Sequence, residues 1–418
     1  MRAATASLLA TILTAAPGLG TARAQAPLPP GEYAYVALEN AAQVAAIDLR
    51  NGSVAQRIAV GAGPRFTTAS RDGTIVLSVN RTDDTISVID TRLGKVVETL
   101  DSGLFLPPGG ARMPDGTELG AGLGDVAASP DGQIVYANRG ALGVVFFDRR
   151  SKVARYIDDN PKGSERFGTS GAFAISWDGQ HIFMPTGTDL KVIDAGTRRI
   201  VSSIRQSGSI GPQGLLNFDI SRDRNLIVHG IQPDIARMMA SRGGQLATPI
   251  SIKVVELPGL GTRQLSGISP GISQLNDPVV GVLLSHDGRR LYTARLFPQY
   301  RAFKPSTTPV QFAPKIYIDG HSMLNGASFG VTEFGAASSG LGLSEDGSRL
   351  IAIDPIASRV KILDAQTLRE LHVAQPGPTP RAGRDFIVRV GAASSPPPAT
   401  GSTPVPAATP ASRPSLKF

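Results

Sequence analysis

The chain holds five imidazoles, His181, His229, His286, His321 and His372. None stands at a metal-ligand spacing such as His-x-His or HExxH, so the pattern assigns no transition-metal site. With no cysteine in 418 residues, thiolate zinc sites, disulfides, iron–sulfur clusters and CxxCH haem attachment are ruled out. The glycine-rich run Gly120-Ala-Gly-Leu-Gly124 does not open a helix in a βαβ unit, and neither a GxSxG elbow nor a Walker sequence occurs. Chemistry must therefore come from dispersed polar residues, and two sets stand out. Arg65, Asp125, Asn217, Asp277 and Arg384 each sit just before or at the start of a strand-like run. Arg237, Tyr300, Arg301, Lys304 and His321 fall in longer segments between such runs. The aromatic and basic mixture at 300 to 304 suits an anionic or sugar-like ligand, and equally the covering of an edge. Arg237 lies between Pro233-Asp234 and Gly243, where Ile235, Met238 and Met239 recur at helical spacing. That segment reads either as a short lid helix or as a loop docked by its apolar residues.

The elements that must position these residues are short strands. Seven apolar runs end in an acid: Ile47-Asp48, Ile89-Asp90, Phe147-Asp148, Ile193-Asp194, Val255-Glu256, Ile318-Asp319 and Leu363-Asp364. Between them recurs Ser-x-Asp-Gly, starting at Ser70, Ser129, Ser176, Ser285 and Ser344, with a degenerate copy at Ser221-Arg-Asp-Arg224. In one unit, Phe66 to Ser70 is a strand, Arg71-Asp-Gly73 turns it, and Thr74 to Val79 returns. Thr85 to Asp90 then alternates at period two, and Lys95 to Leu100 follows a second turn. Asp bonds its own downstream backbone and Gly accepts positive φ, which explains the turn residues. The closing acids read as turn residues too, not as seven catalytic carboxylates.

Four strands in meander order, repeated at this period, predict an all-β fold: a seven-bladed β-propeller of four-stranded antiparallel blades. The first repeat begins at its second strand, Tyr33 to Leu38. The last run, Asp385 to Val390, is expected to supply the missing strand, closing the ring by pairing the N- and C-terminal strands and removing open edges. The Ser-x-Asp-Gly turns then mark one face. The longer links at 101 to 124 and 157 to 171, with the loops at 231 to 250 and 296 to 314, fall on the other, where binding usually lives. Arg65, Asp125, Asn217, Asp277 and Arg384 would gather around the channel mouth. Trp177, the single tryptophan, occupies the variable position of a Ser-x-Asp-Gly turn and reads as a surface or rim aromatic.

Asp84-Thr-Ile-Ser-Val-Ile-Asp-Thr91 with Gly94-Lys-Val-Val-Glu-Thr-Leu100, and Ser129-Pro-Asp-Gly-Gln-Ile-Val-Tyr-Ala-Asn138, resemble the YVTN-repeat family of YncE-like bacterial propellers. The resemblance covers 33 to 390 and is strongest in the first four repeats. It fades in the fifth, where Arg224 replaces Gly and Glu256 replaces Asp. It implies seven blades and an extracytoplasmic location. It implies little chemistry, because the shared residues build the scaffold.

Residues 1 to 24 read as a signal peptide: Arg2, an apolar stretch Ala3 to Ala16, and Ala22-Arg-Ala24 before the cut. A short leader, 25 to 32, precedes the propeller at 33 to 390. Residues 391 to 418 hold seven prolines and no acid, the composition of a disordered tail. No later segment offers the ~18 apolar residues that span a bilayer. A periplasmic or secreted monomer is expected. The net charge of +8 includes Arg2 and Arg23 of the signal peptide and Arg413 and Lys417 of the tail, so the body carries an ordinary charge that disfavours nucleic acid. The expected function is binding or scaffolding, with a protein partner or small molecule of the cell envelope held on the long-loop face. The alternative is an enzyme of the propeller lactonase or dehydrogenase-subunit type, with its site at the channel mouth. No motif assigns a cofactor, and a calcium site built from Asp and backbone carbonyls of separate blades stays open.

Overall fold

The computed structural model describes residues 27–107, 123–160, 173–185, 189–205, 218–222, 226–231, 251–256, 261–265, 279–297 and 315–391. The alternating runs form antiparallel meanders. Sheet 1 contains β1 (Gly31–Leu38), β2 (Gln43–Asp48) and β3 (Val54–Ala59); sheet 2 contains β4 (Pro64–Ala69), β5 (Ile75–Asn80), β6 (Thr85–Asp90) and β7 (Lys95–Asp101). Sheet 3 is β8 (Val126–Ala128), β9 (Ile134–Asn138), β10 (Val144–Asp148) and β11 (Val153–Arg155); sheet 4 is β12 (Ala174–Ile175), β13 (His181–Pro185), β14 (Asp189–Asp194) and β15 (Ile200–Arg205). Sheet 5 is β16 (Phe218–Ile220), β17 (Leu226–Ile231), β18 (Ser251–Glu256) and β19 (Gly261–Leu265); sheet 6 is β20 (Val279–Leu284), β21 (Arg290–Phe297), β22 (Lys315–Ser322) and β23 (Ser328–Gly335). Sheet 7 is β24 (Leu341–Leu343), β25 (Arg349–Asp354), β26 (Arg359–Asp364) and β27 (Glu370–Ala374). Two last strands, β28 (Pro380–Arg381) and β29 (Ile387–Val390), pair antiparallel with β1 and make sheet 1 five-stranded.

The sheets stack face to face, and the core lies between them. Leu77, Ile86 and Phe105 of the sheet 2 segment meet Val135 and Phe147 of sheet 3. Ala34, Val36 and Ile47 of sheet 1 meet Ile351, Ile353 and Ile362 of sheet 7. Tyr33 and Tyr35 pack against Val76 and Ile89 of sheet 2. A strand covered on both faces needs apolar residues on both, so β5 is buried at all six positions. The outer β7 instead exposes every other residue. First strands lie beside first strands, β4 by β8, β12 by β16, β16 by β20 and β20 by β24. This is an all-β architecture of the β-propeller kind, with six four-stranded sheets. Among the described residues no helix is long and apolar enough to cross a membrane.

The turn residues act as their chemistry requires. Ser70 Oγ donates to Asp72 Oδ1 at 2.6 Å and accepts from the Ile75 amide at 3.1 Å, while Asp72 Oδ1 accepts from the Thr74 amide. The same bonds recur at Ser129 with Asp131, Ser285 with Asp287 and Ser344 with Asp346. Most closing acids cap the next turn: Asp90 accepts from the Arg92 and Leu93 amides, and Asp364 from those of Gln366 and Thr367.

Sheet 6 departs from the expected pattern. Asp319 lies inside β22, which runs on to Ser322, so it has no turn to cap. Instead it accepts from Arg295 Nε at 2.8 Å and Nη2 at 2.9 Å, with both side chains at most 6% exposed. A buried carboxylate in mid-strand needs such a bidentate partner. Ser322 takes over the turn role, accepting from the Gly326 and Leu324 amides. His321, expected in an inserted loop, is also part of β22, paired with Leu291 and 3% exposed. Continued pairing with β21 holds it in the sheet, away from any loop surface.

Candidate functional site

The strand that completes sheet 1 is interrupted, and the interruption builds the site. β28 pairs with β1 at Pro380 and Arg381, and β29 resumes at Ile387. Tyr35 of β1 donates its amide to Phe386 O, so the intervening Gly383-Arg384-Asp385 bulges out of register. The bulge is held by β4: the Gly383 amide donates to Thr67 O at 3.0 Å, and the Ala69 amide to Asp385 O at 2.9 Å. A Cβ at residue 383 would stand 2.9 Å from Thr67 O, so glycine is what permits the approach. Asp385 takes φ of 50°.

Arg384 is thereby carried to residues of other sheets. Its Nη1 lies 3.5 Å from Asp219 Oδ1 on β16. Asp219 Oδ2 also accepts the Leu284 amide of β20 at 2.6 Å. Asp125, immediately before β8 and 3% exposed, accepts the amides of Val126 at 3.1 Å and Phe173 at 3.5 Å. Burial pushes Asp125 up to about 7, with the Arg384 charge opposing and Asp385 adding to the rise. Burial likewise pushes Asp219 up to about 6, against Arg384. Both carboxyls therefore exchange protons near neutral pH, which suits acid–base work or binding coupled to protonation.

Two adjoining cavities meet at this cluster. One, of about 90 Å³, is lined by Arg71, Trp177, Asp219, Arg222, His286 and Arg384, among others. The other, of about 20 Å³, reaches Asp125 and Phe173; both share Arg71, Arg384 and Asp385. Trp177 is more than a rim aromatic. Arg71 Cζ lies over its ring at 4.1 Å from the centroid and Arg222 Cζ at 4.3 Å. Arg222 is held by Glu345 at 2.9 Å. Arg71 donates from Nη2 to Ile175 O at 3.1 Å, while its Nη1 has no hydrogen-bond partner among the described residues. Burial pushes Arg71 down to about 10, and the nearby Arg222 charge adds to this. Arg71, Trp177 and His286 are the variable residues of three Ser-x-Asp-Gly turns, and Arg222 holds the same place in the sequence of the degenerate copy. Serine and aspartate fix each turn, so the residue between them is free to serve the cavity. Reading that column across the repeats gives Arg71, Pro130, Trp177, Arg222, His286 and Glu345, with nothing small. That was the signal in the sequence for residues it otherwise hid.

Of the residues expected at the channel mouth, Asp125 and Arg384 are brought together. Arg65, on β4, is not: it lies over the Phe66 ring, its charged neighbours are Arg81, Arg381 and Glu39, and it lines neither cavity. Asn217 and Asp277 lie outside the described residues, as do the loop candidates Arg237, Tyr300, Arg301 and Lys304. His321 is buried in sheet 6 and lines neither cavity. Among the described residues no three His, Asp or Glu side chains are grouped to hold a metal ion.

No family model matches the chain, and no curated protein matches it. Solved structures do. Hydrazine synthase of Kuenenia stuttgartiensis is similar with a TM-score of 0.54 at 16% identity, over 78% of this chain and 90% of that one. Dihydro-heme d1 dehydrogenase NirN, solved in complex with DHE, gives 0.53 at 15% identity, over 89% and 78%. A functionally unknown protein from Desulfotomaculum acetoxidans DSM 771 gives 0.51 at 13% identity, over 83% and 98%. Likeness at such identities is likeness of fold, and it agrees with the β-propeller architecture.

Proposed function

We propose that this chain is an exported, seven-bladed β-propeller of the YVTN-repeat, YncE-like kind, acting as a binding protein whose small-molecule ligand sits in the central channel. Seven consecutive sheets and the pairing of β28 and β29 with β1 support a ring closed by the chain ends. Arg2, Ala3 to Ala16 and Ala22-Arg-Ala24 support export to the periplasm or medium. The bulge at Gly383-Arg384-Asp385 carries the binding reading. A strand that served closure alone would run unbroken. This one is interrupted to set a guanidinium among enclosed carboxyls, an expense that burial of polar groups makes real. Arg237, Tyr300, Arg301 and Lys304, which the sequence assigns to the long loops, are the residues we propose for contact with a protein partner of the cell envelope.

One observation favours an enzyme of lactonase or dehydrogenase-subunit type instead. Asp125 near 7 and Asp219 near 6 are poised as general acid or base at neutral pH. A thermal-shift screen against divalent metals, quinone cofactors, lactones and sugar acids, run on wild type and Arg384→Met, tests both readings. A ligand of the folded state raises the melting temperature by mass action. A saturable rise that Arg384→Met loses supports the channel site, and turnover of the bound compound supports the enzyme. A flat screen on folded protein would overturn small-molecule binding.

A further inference from the structure

Resting on the channel-binding reading, we infer that the Ser-x-Asp-Gly end of the channel takes a small monovalent carboxylate, received by Arg71 beside Trp177. The pairing of the cavity's guanidinium groups points to this class. Arg222 is ion-paired with Glu345, and Arg384 faces Asp219 at 3.5 Å. Among the described residues no carboxylate reaches ion-pairing distance of Arg71, and Asp385 and Asp178 act on it only from farther away. Arg71 is thus the one guanidinium of the cavity without an ion-pair partner among the described residues. Asp385 also lines the cavity and repels a second negative charge, which disfavours a dianion.

Geometry narrows the class further. Arg71 lines the cavity and spends Nη2 on Ile175 O, while its buried Nη1 has no hydrogen-bond partner among the described residues. Buried donors without acceptors are rare because each costs its full desolvation, so such a donor marks the place of a missing acceptor. Guanidinium groups bind planar carboxylates through parallel N–H donors. The Trp177 ring, already stacked by two guanidinium groups, holds Arg71 in place and is closed to a cationic ligand. A volume of about 90 Å³ holds several waters, or a carboxylate with a short substituent. Nothing in the turn itself demands Arg at 71 or Trp at 177, since Ser70 and Asp72 already fix the backbone.

Trp177 is the chain's only tryptophan, so its fluorescence reports on this cavity alone. The full chain is titrated with sodium acetate and sodium benzoate, each against sodium chloride at equal ionic strength. The expected result is a saturable change in Trp177 emission with acetate or benzoate and none with chloride. Loss of a charged hydrogen bond should raise Kd about tenfold or more in Arg71→Met. Arg150→Met, at an exposed position, should leave it unchanged. Arg71→Lys keeps the charge without the fork and should bind with intermediate affinity; it serves also where Arg71→Met does not fold. Carboxylate titrations that match chloride, or an Arg71→Met as tight as wild type, would overturn the inference. If acetate and benzoate leave Trp177 unmoved while another compound gives an Arg384-dependent thermal shift, the carboxylate class falls and channel binding stands.

Discussion

Enclosure of Asp125 makes the stability of the molecule depend on pH. Its carboxyl, ordinarily at 3.8, is pushed up to about 7 by burial, with Arg384 opposing and Asp385 reinforcing. A carboxyl raised in the folded state makes stability change with pH only where the folded chain holds the proton and the unfolded chain has lost it. Its contribution to stability is full below the unfolded value and is lost as pH rises from about 4 through about 7. Asp125→Asn removes the titration and keeps an oxygen for the Val126 amide. Its melting temperature relative to wild type should therefore climb between pH 5 and pH 8, by the equivalent of at most about 3 kcal/mol. Matched thermal melts at the two pH values check this, and an unchanged difference would show that Asp125 does not titrate there. Asp125 and Arg384 were legible in the sequence as polar residues at strand starts. Arg65 looked the same and lies elsewhere, because position along a strand does not fix which neighbours a long side chain meets. Asp219 was hidden inside the run Phe218–Ile220, and no periodicity marks the bulge that brings Arg384 to it.

At the scale of the element, the Ser-x-Asp-Gly turn separates two duties. Its serine and aspartate hold the backbone, its glycine takes the left-handed conformation, and its second residue is left to the cavity. Gly132 has φ of 68°, and a Cβ there would lie 2.9 Å from the Ile75 side chain of the neighbouring sheet. Gly132→Ala should cost about 1–3 kcal/mol, through backbone strain and displaced packing between sheets 2 and 3. Urea unfolding measures the loss, and a variant within 0.5 kcal/mol of wild type, the usual range of a neutral surface change, would refute it. Strands and turns were readable because alternation and turn chemistry are local. The length of β22 was not, since Ile318-Asp319 imitates the closing pair of the other repeats. Only pairing with β21 and the Arg295 ion pair show that the strand continues to Ser322.

For the molecule as a whole, the decisive contact is between its first described strand and its last two. β1 is covered by β28 and β29, with Arg381 Nε donating to Glu39 Oε2 across a sequence separation of 342. A chain stopped after Thr379 loses both strands and uncovers one edge of β1 beside the buried Tyr33 and Tyr35. It should lose cooperative melting or drop by about 10 °C or more, whereas a chain stopped after Gly391 should melt like the full protein. Scanning calorimetry on the two truncations decides between these outcomes. The same pairing also sets an order in time. Synthesis delivers β29 after every other described strand, so sheet 1 waits for sheets 2 to 7 before its edge is satisfied. Until then that edge can recruit any passing strand, its own or another molecule's. The bulge and its arginine arrive in the same final step. Completing the barrier against misassembly and assembling the cavity are therefore one event, and a nascent chain has neither until its last strand is free.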